Sequence, residues 1–153
     1  MSDNSNYKDA NGNSNSNSNS NAKFRDDFAR RLLKLCYRIL QLGKRLLEKI
    51  NTNELIPQSE TFVARMSQVV DPEFQQFIGS ILMDIDRFGT ERKLSATYLH
   101  EVVFNSPGSS DYNQLVSFLA TQLKRFHPKR LREYSQYADE YMDSVTLITN
   151  SMD

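Results

Sequence analysis

The sequence predicts an all-α fold: a single bundle of about six helices preceded by a disordered Asn/Ser-rich tail. Three observations predict it. Apolar residues recur every three or four positions through long segments. Helix start and stop residues punctuate those segments. Between turn signals, no run alternates apolar and polar residues with the period of a strand.

The elements follow in order. Residues 2–21 hold 14 Asn or Ser and offer nothing apolar to a core, so 1–21 is expected as a low-complexity tail and 22–153 as the bundle domain. The first helix carries a stripe of Phe24, Phe28, Leu32, Leu35, Ile39, Leu42, Leu46 and Ile50. A second set, Leu33, Cys36, Tyr37, Leu40 and Leu47, widens that stripe beyond one bundle seam. Asp26 and Asp27 are placed in its first turn, where the dipole favours carboxylates, and 51–53 end it. After Pro57, Ser59 is read as the cap of a helix carrying Phe62, Val63, Met66, Val69 and Val70.

Asp71-Pro72-Glu73 is a start signal: a capping carboxylate, a proline where no donor is missed, and an acid at the dipole's positive end. The helix after it buries Phe74, Phe77, Ile78, Ile81, Leu82, Ile85 and Phe88, and Gly89 is expected as its left-handed stop. Thr90 to Phe104 reads as a shorter helix with Leu94, Tyr98, Leu99, Val102 and Val103 inward. Residues 105–110 form a Pro-Gly loop, and Ser110 or Asp111 caps a helix with Leu115, Phe118, Leu119, Leu123 and Phe126 inward. Pro128 restarts the chain into a last helix whose inner side is Leu131, Tyr134, Tyr137, Ala138, Tyr141, Val145 and Ile148.

Charge is balanced in total, 19 Lys and Arg against 19 Asp and Glu, but not along the chain. Residues 23–50 carry a net +6, 51–123 carry −5, 124–132 carry +5 and 133–153 carry −5. Arg31, Lys34, Arg38, Arg45 and Lys49 are expected on a face opposite the main apolar stripe. Lys124, Arg125, Lys129, Arg130 and Arg132 cluster around the Pro128 break. These two groups are the candidate anion-binding residues, with Phe126, Tyr134 and Tyr137 near the second as stacking partners for single-stranded nucleic acid. The plainer expectation is loose pairing with the acidic blocks, worth about 0 to 1 kcal/mol per exposed pair.

No catalytic constellation is visible. There is no glycine-rich phosphate loop, no Ser between glycines, and no second His four residues after His100. His127 stands among cations, which makes it a poor metal ligand. Asp139, Glu140 and Asp143 share one turn of one helix, whereas bundle metal sites draw ligands from several. Cys36 reads as a small core residue, and one thiol closes no bridge within the chain.

The expectation is therefore a non-enzymatic interaction or scaffold module without metal or cofactor. It would bind itself or a partner helix through Leu33, Tyr37, Leu40 and Leu47 of the first helix or Tyr134, Tyr137 and Tyr141 of the last. The alternative is a small nucleic-acid-binding regulator using the two basic groups. A membrane-surface role ranks third, since it needs the first helix free of the bundle. With no secretory signal, no membrane-length apolar run and a lone Cys, the expected location is cytoplasmic.

Overall fold

The computed structural model describes residues 12–51 and 71–152. Among them it contains five α-helices and no strand. These are α1 (Gly12–Asn51), α2 (Pro72–Arg92), α3 (Ala96–Asn105), α4 (Ser110–Gln122) and α5 (Pro128–Met152). A short 3-10 turn, Leu123–Arg125, joins α4 to α5. The helix expected over 59–70, which made the count about six, lies outside the described residues, as does 1–11 of the expected tail.

α1 begins at Gly12, inside the stretch expected as tail. A helix already nucleated by packing downstream extends at one hydrogen bond per residue, even through weak formers such as Asn and Ser. Ser18, Asn19 and Ser20 are exposed, and the core begins with Phe24 and Phe28. Asp26 and Asp27 are therefore interior, not first-turn, residues. They pair one turn away, Asp26 with Arg30 at 3.0 Å and Asp27 with Lys23 at 3.5 Å. The Asp26 hydrogen bond raises the Arg30 pKa.

Residues Phe28, Leu32, Leu35 and Leu42 of the main stripe are buried, and so are Leu33, Cys36 and Tyr37 of the second set. One helix is thus wrapped on two sides, chiefly by α4 and α5. Its neighbours along α5 rise in step. Arg132 lies over Phe24, Arg31 reaches Ser135 and Asp139, and Leu42 packs with Val145 and Ile148. The first and last helices therefore run parallel, and their C-terminal ends form a small second apolar cluster with Ile39, Leu46 and Met152.

Asp71 caps α2, its carboxylate accepting from the Glu73 amide at 2.7 Å, with Pro72 next to it. The helix does not stop at Gly89. It runs on to Arg92 and closes through Lys93, which takes φ 58° and ψ 40°. The Leu94 amide donates to the Gly89 carbonyl at 2.9 Å and the Lys93 amide to the Thr90 carbonyl at 3.2 Å, the paired bonds of a Schellman closure. Gly89 serves another purpose: a Cβ there would stand 2.9 Å from the Leu94 carbonyl oxygen and 3.1 Å from the Leu99 Cδ1.

Ser95 then caps α3, accepting from the Tyr98 amide at 3.0 Å. Thr90 to Arg92 thus belong to α2 rather than to the third helix. Tyr98, expected inward, points out and donates its hydroxyl to Asp111. Ser109, not Ser110 or Asp111, caps α4 and accepts from the Tyr112 amide at 3.2 Å. His127 opens α5, its Nδ1 accepting from the Lys129 amide at 3.1 Å.

Candidate interaction surface

The Tyr stripe of α5 is built into the core. Phe74 and Phe77 of α2 meet it: the Phe77 ring stacks on Tyr134 with centroids 4.4 Å apart, and Phe74 lies 5.6 Å from Tyr137 and 5.2 Å from Tyr141. Phe126 closes edge-on against Phe77 at 5.1 Å. Tyr134 is buried, and Tyr137 and Tyr141 are half-buried against the main cluster. Of the expected interface and stacking residues, Tyr134 is thus a core residue, and Tyr137 and Tyr141 keep only part of their surface outside the bundle. Their rings are satisfied by two phenylalanines of the same chain, and burial raises the Tyr141 pKa.

The α1 set divides. Leu33 and Tyr37 are core residues, with Tyr37 edge-on to His100 at 5.7 Å. Leu40 and Leu47 are 51 % and 58 % exposed. Seven positions apart, they lie on one face of α1 toward the end that packs on α5 through the small cluster. Leu147 of α5 is a further exposed apolar residue at that end of the bundle. Leu40 also lines two adjoining hollows against α2 and α3, which share Tyr37, Leu40 and Ala96.

Several of the basic residues are engaged within the bundle. Arg31 is not opposite the packed stripe but beside it, donating to the Ser135 hydroxyl at 2.7 Å and lying 3.6 Å from Asp139. Its guanidinium also covers the Phe28 ring, and Arg38 covers Phe104. Arg125 pairs with Asp84 at 2.8 Å and donates to the Ser80 hydroxyl at 3.1 Å. Arg87 approaches the other Asp84 oxygen at 3.5 Å, so the largely buried carboxylate sits between two cations.

Arg130 pairs with Glu73, with Glu133 at 3.2 Å and with Asp71 at 3.8 Å, and Arg132 lies over Phe24. Glu133, Tyr134 and Glu73 all raise the Arg130 pKa by hydrogen bonding. Lys34, Lys124 and Lys129 are exposed and make no ion pair among the described residues. Arg45 and Lys49 lie toward the C-terminal end of α1 and both have partners.

The cysteine and histidines fill structural positions. Cys36 is fully buried, and loss of water pushes its pKa up to about 12. Burial, reinforced by Cys36, likewise lifts Tyr37 to about 12. His100 packs between Tyr37 and Phe104. Asp139, Glu140 and Asp143 are exposed on α5. Among the described residues no group of three or more His, Cys, Asp or Glu is placed to hold a metal ion, and no helix is long and apolar enough to cross a membrane.

Sequence reasoning missed two features. Phe74 with Phe77 and Tyr134 with Tyr137 are both aromatic pairs at a spacing of three, and that matching spacing was a signal that the two helices face each other. The hollow under Leu40 left no such signal. Its walls come from three helices and contain no motif. Comparison with known protein families, curated proteins and solved structures gives no match.

Proposed function

We propose that this chain is a non-catalytic helical interaction module that binds a second copy of itself, or a partner helix, across the outer face of α1 around Leu40 and Leu47. The carrying observation is the exposure of two leucines on one face of a helix whose other described leucines, isoleucine and phenylalanines are buried or partly buried. Scattered exposed leucines are ordinary, but a pair in helical register beside an apolar hollow offers a partner helix a seam of matching period. The cations support a nucleic-acid partner less well. Arg31, Arg125 and Arg130 are engaged with acids of other blocks and Arg38 and Arg132 lie over rings, which leaves Lys34, Lys124 and Lys129 as the candidate cations with neither contact among the described residues.

Size-exclusion chromatography with light scattering, at roughly tens of micromolar protein, tests the self-association form. The wild type is expected above the mass of one chain. The double variant Leu40→Glu, Leu47→Glu is expected at one chain mass with unchanged helicity, since neither leucine supports the core. A wild type that stays monomeric, with elution and melting temperature indifferent to the substitutions, refutes it. A gel-shift series with Lys34, Lys124 and Lys129 neutralised decides the nucleic-acid reading, which requires a salt-sensitive shift that those changes weaken.

A further inference from the structure

The hollow beneath Leu40 has two ends of different chemistry. The inner end is a partly open, mainly apolar cavity of about 120 Å³, lined by Cys36, Leu82, Ile85, Leu94 and Leu99 among others, with Thr90 and Asp86 as its polar groups on α2. A dry cavity of about 150 Å³ with a comparable lining takes up benzene, so this one matches a single ring or a short acyl chain. The outer end, about 310 Å³, passes Tyr37, Leu40 and Ala96 and opens between Gln41, Lys44, Thr97 and His100. Lys44 is exposed and has no ion pair among the described residues. Asp86 lies on the opposite, α2 rim of the inner cavity.

We propose that this hollow binds a small amphipathic anion, an aryl or short acyl carboxylate, with its apolar end in the inner cavity and its carboxylate beside Lys44. The charge layout sets the orientation. A carboxylate leaving by the α2 rim would meet Asp86, whereas one leaving between α1 and α3 meets a cation and the polar groups of Gln41, Thr97 and His100. The apolar end supplies the binding and the cation selects the head group. Desolvated ring surface contributes in proportion to its area, while an exposed ion pair adds only a modest factor.

The test uses the full chain with three probes: phenylacetate, its neutral counterpart toluene, and acetate, which has the head group without the ring. Thermal shift and ligand-observed NMR titration give the readouts. Phenylacetate is expected to raise the melting temperature in a saturable way and to bind more tightly than toluene, and acetate is expected to do neither. Lys44→Gln should weaken phenylacetate by about two- to five-fold and leave toluene unchanged. Ala96→Leu, at an exposed rim position shared by both ends, should abolish binding of both arenes while the free protein melts as before. No response to either arene overturns the proposal. So does a response that Ala96→Leu leaves intact, or a phenylacetate affinity indifferent to Lys44→Gln.

Discussion

Gly89→Ala sets two effects of known sign against each other. Inside an exposed helix, replacing Gly by Ala contributes about 0.8 to 1 kcal/mol, through lost backbone freedom in the unfolded chain. At Gly89 the added Cβ meets the Leu94 carbonyl oxygen at 2.9 Å and the Leu99 methyl at 3.1 Å. Ordinary contact requires roughly 0.4 Å more, comparable to the misfits that make overpacking cost about 1 to 3 kcal/mol. The nearer obstacle is backbone, and it belongs to the residue whose amide donates to the Gly89 carbonyl at 2.9 Å. Moving it loosens the bond that closes α2. The net expectation is destabilisation by about 0.5 to 2 kcal/mol, with a melting temperature lower by about 2 to 8 °C.

Gly79→Ala is the control, in the same helix with nothing within 4 Å of the new Cβ. It should stabilise by about 0.5 to 1 kcal/mol. Lys93→Gly completes the set. Lys93 holds φ 58°, where a side chain costs roughly 1 kcal/mol, so glycine there should stabilise. Urea melts followed by far-UV circular dichroism, compared at equal m, give all the values. If Gly89→Ala raises the midpoint as Gly79→Ala does, α2 and the start of α3 are not packed as described, and the reasoning fails.

An Asp84→Ala, Arg125→Ala double-mutant cycle should return a coupling of about 1 kcal/mol. This is reduced from a buried-pair value because Arg125 is 38 % exposed and Arg87 remains beside the carboxylate; an additive cycle would contradict the pairing. Because burial raises its pKa and shields it, the Cys36 thiol should react far more slowly at pH 8 in the native state than when unfolded; equal rates would contradict its burial. The same shift fixes a sign. The contribution of protonated Cys36 to stability is complete below pH 9 and is lost as pH rises toward 12, so alkaline melts of Cys36→Ala should decline less steeply over that window. Deleting residues 12–20 should leave the melting temperature within about 1 °C, since the core begins at Phe24; a larger drop would show that this stretch is packed.

The features legible in the sequence were those fixed by local chemistry. Asp71-Pro72-Glu73, the loop around Pro107-Gly108 and the break at Pro128 each specify a backbone event through their own side chains. The apolar period placed Phe28, Leu32, Leu35, Phe77, Leu115 and Val145 in the core. What stayed hidden depended on neighbours distant in sequence. Leu33 and Leu40 are both leucines of the same second stripe, and only the packing around each decides that one is buried and the other half-exposed. Ser109, Ser110 and Asp111 can all cap, and Asp111 is instead engaged by the Tyr98 hydroxyl. Gly89 misled because glycine satisfies two needs, a left-handed backbone or a close approach, and its immediate sequence does not distinguish them.

The charge blocks show how a pattern along the chain becomes a division of labour in space. Arg31 reaches Asp139, Arg125 reaches Asp84, and Arg130 reaches Asp71, each crossing from a basic block to an acidic one. Several of these guanidiniums also cover rings: Arg31 lies over Phe28, Arg125 over Phe126 and Arg130 over Tyr134. A planar group with five donors and weak hydration can do both at once, which an ammonium cannot. Lys34, Lys44, Lys124 and Lys129 are exposed with neither an ion pair nor a ring contact among the described residues, whereas Arg38 and Arg132, also exposed and without an ion pair there, lie over Phe104 and Phe24. Recruiting the paired arginines to an external phosphate would mean breaking contacts that tie α2 and α5 to the rest of the bundle, whereas the lysines are available at no such cost. An anionic partner of this protein is therefore expected to be met by ammonium groups one at a time, as at Lys44, rather than by a guanidinium cluster.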